Sequence, residues 1–334
     1  MRINITALES SYANMRREKW IDWAKSIAIF CVILTHTIDN SCSIWLQQFS
    51  SFMAFHVPLF FFVSGYLFRI KERKFFLFLK NSVKILIIPY IAFNLLSAPI
   101  LFQLQSHDVW VRGFIEFIHC KGHAWAGPAW FLIALFNIRI ASYWLLKINR
   151  SVACSAVVVA AILPFFLSYQ LWFGVSSAMI GLPLFMSGFI MKKYKIVEAY
   201  SHLSTLAKCA VPFVLLAFVL LTRHSCSMNI GKGFISSPLS YAIMLLTIIM
   251  GLSFCYLLKG ISLYIVEIIS RGCIVIMGLH ITIIQCLWAV KGWLPEYLHF
   301  TCESPFIAIT TFILSIVTAF FMMRYTPFLI GNRK

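Results

Sequence analysis

Residues 20–36 read WIDWAKSIAIFCVILTH, an apolar run with Asp22 and Lys25 near its start and His36 at its end. On a helix Lys25 and His36, eleven positions apart, fall within about 20° of one face and are separated by roughly 16 Å along the axis. Asp22, three residues before Lys25, shares that face. Charges inside an apolar helix are costly and are retained where they line a pathway or a site. The competing reading makes Asp22 and Lys25 an interfacial pair and places His36 in the opposite headgroup layer. These residues alone leave both open.

Composition settles the class. Of 334 residues 61% are apolar and only 12% charged, with a mean hydropathy of +0.87, against about 25% charged in soluble domains. This implies an all-α, polytopic integral membrane protein. Ten stretches approach the ~20 residues that a bilayer requires: about 20–38, 50–68, 84–104, 128–146, 151–169, 172–191, 205–222, 238–258, 272–290 and 305–323. With both termini cytoplasmic, 22 of the 28 Lys and Arg residues fall on the inner side. That bias is the positive-inside rule, and it accounts for the formal charge of +17 without nucleic acid. Asp22 and Lys25 interrupt the start of the first run and no small-residue cleavage site follows His36, so it reads as a retained anchor rather than a cleaved signal.

Residues 1–15 are expected to be a flexible cytoplasmic tail and 16–330 a single membrane domain. With no soluble domain expected at either end, any chemistry falls to the bundle, and the lack of an internal repeat counts against transporters built from inverted halves. The ten cysteines contain no C-x-x-C and do not cluster with histidine, so no metal site is expected. Cys42, Cys120, Cys226 and Cys302 fall in four outer loops, where a disulfide is permitted but its pairing is not legible.

The second span, FMAFHVPLFFFVSGYLF, carries His56 near its outer end, close in expected depth to His36. The two imidazoles either converge or stand apart as interface residues. Ser64-Gly65 allows a close helix approach. The following RIKERKFFLFLKNSVKILIIPY, residues 69–90, suggests a helix lying in the inner interface. It is either a topology signal that attracts anionic lipid or a landing site for a phosphate-rich ligand. Residues 105–127 read as the longest outer loop; Glu116, His119 and His123 beside Trp110 and Trp125 suit carbohydrate or an interfacial aromatic belt. Arg139 lies midway along span four, a site candidate or a structural partner of Glu267 or a carbonyl. Pro164, Gly181, Pro183 and Gly188 suggest kinks in spans five and six. His280 is mid-span near the end of the chain, where an interhelical hydrogen bond is the usual role.

Four segments together resemble the integral-membrane acyltransferase family 3, in its fucose 4-O-acetylase-like branch. They are IDWAKSIAIFCVILTH with Lys25 and His36, FHVPLFFFVSGYLF with His56, the basic run ending ILIIPY with Lys80 and Lys84, and PAWFLIALF with Trp130 and Phe131. The late segment SRGCIVIMGLH matches in part: Ser270 stands where a glycine is expected, Cys273 where a serine is, and Met277 where a tyrosine is. The resemblance implies transfer of an acetyl group from cytoplasmic acetyl-CoA, as co-substrate, to a hydroxyl of an envelope glycan such as O-antigen, capsule or a polyprenyl-linked sugar. Implied with it is a bacterial inner-membrane location. On that footing His36 is expected as general base, oriented by Asp39, with Arg139 stabilising the oxyanion. Lys25, Lys80 and Lys84 would hold the donor, Asp22 would position Lys25, and His56, Trp130, Glu116 and His280 would line the acceptor side. The alternative is a transporter or flippase that moves an acyl donor or lipid-linked sugar without making a bond. The acceptor hydroxyl and the oligomeric state are not legible.

Overall fold

Each of the ten apolar stretches carries a helix among its described residues. A computed structural model describes residues 18–38, 43, 44, 47, 55–70, 74–121, 124–167, 169–222, 228–293 and 305–331. Its helices are α1 (Lys19–Thr37), α2 (His56–Tyr66), α3 (Phe75–Leu104), α4 (His107–His119), α5 (Trp130–Leu145), α6 (Arg150–Ile162), α7 (Val175–Lys193), α8 (Ile196–Ser201), α9 (Thr205–Thr222), α10 (Leu239–Leu257), α11 (Tyr264–Trp293) and α12 (Pro305–Tyr325). Strands β1 (Met228–Asn229) and β2 (Phe234–Ile235) pair antiparallel, with Met228 opposite Ile235. The tail 1–15, Asp39, His123, Cys42, Cys226 and Cys302 lie outside the described residues; Cys120 is a free, buried thiol.

Among the described residues six segments are long and apolar enough to cross a membrane: Phe75–Leu104, Gly127–Leu145, Val175–Lys193, Leu239–Gly260, Tyr264–Val290 and Phe306–Tyr325. α2, α9 and Arg150–Phe165 are shorter apolar helices. α1 has the length, but Asp22, Lys25 and His36 dilute its apolarity. It is nevertheless the hub, packing on α2, α10, α11 and α12. Its buried face runs through Ala24, Ala28, Ile29, Val32 and Ile33, the spacing of a helix stripe.

Two elements differ from the sequence reading. Residues 107–119, expected within a loop, form α4, because Trp110, Phe114 and Phe117 recur at helical spacing and fold back on α3. Trp110 Nε1 donates to the Ala98 carbonyl (2.8 Å) and Tyr90 Oη to the Phe117 carbonyl (2.8 Å). Nor does the basic run form its own interfacial helix, since from Phe75 it is continuous with span three. The seam is a π turn at Val83–Ile87, where Ile88 N–H reaches back to the Val83 carbonyl. Pro89 follows directly; lacking an N–H it cannot close the next α-helical bond. The turn carries Lys84, and Gly331 (φ +74°) packs against it so closely that a Cβ there would sit 2.6 Å from the Lys84 carbonyl oxygen.

The tightest seam joins α2 and α7. A Cβ on Gly65 would stand 1.8 Å from the Phe185 carbonyl oxygen, and one on Gly188 would stand 1.9 Å from that of Phe62. These two glycines let the backbones touch, the role expected of small residues in apolar bundles. At one end of the bundle Lys192 Nζ pairs with Glu18 (2.6 Å), and Tyr66 Oη (2.8 Å) and Trp20 Nε1 (3.0 Å) donate to the same carboxylate. This knot fastens the start of α1 to the ends of α2 and α7, and defines the basic end; His36 lies toward the far end.

Candidate functional site

α1 and α11 run parallel, and a ladder of polar contacts sets their register. Trp23 Nε1 donates to the Ile261 carbonyl (3.1 Å), Ser26 Oγ to that of Val266 (3.1 Å), and Lys25 Nζ to that of Ser270 (2.6 Å). Ser270 Oγ in turn donates to Asp22 Oδ1 (2.6 Å), and Cys273 Sγ to the Lys25 carbonyl (3.6 Å). Asp22, 9% exposed, is therefore anchored in protein against α11. The ammonium of Lys25 is half-buried; with one of its three donors on Ser270, two remain without a partner among the described residues.

Ten or eleven residues farther along the same two helices, the register brings His36 and His280 together. Their ring centroids are 5.3 Å apart at 47°. His280 is fully buried, and its Nδ1 lies 2.9 Å from the Ile276 carbonyl. A carbonyl only accepts, so Nδ1 carries the proton and Nε2 presents a lone pair. That Nε2 has no hydrogen-bond partner among the described residues. His36 is exposed, while its neighbours Leu34 and Thr37 are buried. His56, 7% exposed at the start of α2, lies within electrostatic reach of His280. α2 rises only about 15 Å from Tyr66 to His56, against about 27 Å from Glu18 to His36, so His56 stands nearer mid-bundle than expected. His36 and His280 are thus adjacent, with His56 within electrostatic reach of His280. No three of the described His, Cys, Asp or Glu residues group closely enough to hold a metal ion.

Arg139 is elsewhere. Its guanidinium lies 5.4 Å from the centroids of both Phe68 and Phe78, and Nε donates to Ser82 Oγ at 3.4 Å. Gly127 packs beside Ile281, next to His280, and Arg139 is twelve residues, about 18 Å, down the helix from there. At that depth it cannot touch an oxyanion formed at His36. It lies in the basic half, on the wall that also carries half-buried Lys84 and exposed Lys80. Glu267, its suggested partner, pairs with Arg271 one turn along α11.

Trp130 lies at the far end beneath the β-hairpin, where a Cβ on Gly231 would be 3.0 Å from its ring. Glu116 is half-buried on α4, within electrostatic reach of Tyr90. Neither residue makes a described hydrogen bond to the three histidines. His119, noted in the same stretch, stacks on Trp172 at 4.5 Å.

Sequence reasoning missed the bridging role of Ser270. As an isolated departure from a motif it carried no message. Its signal was positional, since Ser270 and Cys273 are one helical turn apart and so face one neighbour.

A family model described as an acyltransferase domain matches residues 18–322. No curated protein and no solved structure matches the chain.

Proposed function

Because the chain belongs to acyltransferase family 3 and is a polytopic membrane acyltransferase, we propose that it transfers an acetyl group from cytoplasmic acetyl-CoA to a hydroxyl of an envelope or lipid-linked glycan. One observation carries this reading. An exposed imidazole, His36, stands about 16 Å along the same helix from a half-buried ammonium, Lys25, that gives one donor to the Ser270 carbonyl. The geometry suits a donor that is charged at one end and reactive at the other, joined by a long flexible arm.

In this reading the basic end faces the cytoplasm of a bacterial inner membrane. The coenzyme A phosphates rest against Lys25, Lys84, Lys80 and Arg139, whose charges act as fixed clamps. Asp22 and Ser270 hold Lys25 in place. The pantetheine arm runs toward His36. There His36 accepts the acceptor's hydroxyl proton as its oxygen attacks the acetyl carbonyl carbon. The new O–C bond forms, the C–S bond breaks, and the proton passes from His36 to the departing thiolate. Trp130 and Glu116, toward the far end, line the route of the sugar. Asp39, three residues past His36, is one candidate to orient that ring.

The test gives purified protein acetyl-labelled acetyl-CoA and polysaccharide extracted from the producing cell. Label covalently attached to glycan, with one free thiol released per acetyl, supports the enzyme. Intact acetyl-CoA, moved across a vesicle membrane but never consumed, supports the transporter and overturns the reading.

A further inference from the structure

We propose that His280 is the positioning residue of a two-imidazole relay, in which its unpartnered Nε2 accepts a ring N–H of His36 and fixes which His36 nitrogen is left as the base. The inference rests on the acyl-transfer reading for its chemistry, but on geometry alone for the pair.

A neutral histidine has two tautomers, and a general base works only in the one whose lone pair faces the proton to be taken. Something must therefore hold the other nitrogen as N–H. In the sequence the candidate for this was Asp39, in a stretch after α1; the helix core supplies a second one. His280 itself is fixed, since its Nδ1–H is tied to the Ile276 carbonyl at 2.9 Å, and Nε2 can only accept. A buried acceptor without a partner is costly, about 1–3 kcal/mol for a polar group, and most such groups are satisfied. The side chain is fully buried, so the cost is not relieved by water at the surface.

The neighbouring ring that can satisfy it is His36. Two imidazoles joined by an N–H···N bond of about 2.9 Å have ring centres roughly 5 Å apart. The observed 5.3 Å is already that separation. The two rings are therefore close enough for such a bond. The helices are locked in register lower down by the contacts of Ser26, Lys25 and Asp22 with Val266 and Ser270. The exposure of the two rings fits the division of labour. His280 is sealed behind, and His36 presents an open face. The chain Ile276 carbonyl, His280, His36, acceptor hydroxyl then runs in one direction. The hydroxyl proton moves to the outer nitrogen of His36 and leaves on the thiolate, while the inner N–H stays with His36 throughout.

The experiment compares His280→Leu, which fills the space without an acceptor, with His280→Gln, whose side-chain carbonyl can stand near the Nε2 position. In the acetyl-transfer assay, His280→Leu is expected to lower kcat about 100-fold with the KM for acetyl-CoA within two-fold of wild type. His280→Gln is expected to recover at least ten-fold of that loss. Wild-type kcat in a folded His280→Leu protein would overturn the proposal, as would equal losses in folded Leu and Gln variants. A second readout needs no turnover: ring nitrogen NMR of ¹⁵N-histidine-labelled protein, with His36 assigned by substitution. One His36 tautomer in wild type and a mixture in His280→Leu supports the relay; the same populations in both overturn it. If no acetyl transfer occurs in wild type but the tautomer lock is seen, the proposed reaction fails and the pair stands.

Discussion

Replacing Lys25 with Met keeps most of the apolar stem and removes the charge. Its effect can be bounded from the surroundings. One phosphate charge at 4 Å from an ammonium is stabilised by about 1 kcal/mol in water and about 4 kcal/mol at the effective dielectric of a protein surface. Lys25 is half-buried and spends one donor on the Ser270 carbonyl, so a middle value of about 2 kcal/mol applies, or ~30-fold in Kd. The same substitution also frees that carbonyl from a charged donor, worth roughly 1.5–3 kcal/mol, so some loss of thermal stability accompanies it. The assay is therefore coenzyme A binding by titration calorimetry on folded, detergent-purified protein, with a melting curve alongside. Lys25→Met should weaken coenzyme A about 30-fold, and Lys25→Arg should retain most of the affinity. Lys193→Met, a basic residue at the same end but outside the proposed clamp, should bind as wild type does. Unchanged coenzyme A affinity in folded Lys25→Met would refute the donor assignment and leave Lys25 as a fastening between α1 and α11 alone.

Other consequences follow from the same contacts. Arg139→Met removes a cation held over Phe68 and Phe78 and should raise the KM for acetyl-CoA about ten-fold with kcat nearly unchanged; a fall in kcat alone would return Arg139 to the transition state. Gly188→Ala forces a Cβ to within 1.9 Å of the Phe62 carbonyl oxygen and should destabilise the fold by 1–3 kcal/mol or more, seen as a lowered melting temperature and poor recovery from membranes. Ser270→Ala, which deletes the bond to Asp22 but keeps the carbonyl that Lys25 uses, should weaken coenzyme A only two- to five-fold, read by the same calorimetry.

The helices were legible because bilayer-length apolar runs have few alternatives, and each of the ten stretches carries a helix among its described residues. α4 was not, because thirteen residues with five ionisable side chains look like a loop until Trp110 and Trp125 are seen packing onto α3. The proximity of His36 and His280 could not be read either. It depends on α1 and α11 being parallel neighbours, and a lone mid-span histidine says nothing of its neighbour. Ser270 and Cys273 seemed to weaken a motif, yet they supply the hydrogen bonds that bring Asp22 and Lys25 into line with α11. Arg139 was flagged as an intramembrane cation, but its depth follows from Gly127, just before α5, packing beside Ile281, which only the fold reveals.

The central claim is that His36 performs the transfer while the charged groups below it hold the donor. The direct measurement is acetyl transfer to glycan by His36→Ala at matched expression, with coenzyme A affinity determined on the same preparation. The account predicts transfer reduced at least 100-fold and coenzyme A binding within two-fold of wild type. Wild-type transfer by His36→Ala would contradict it.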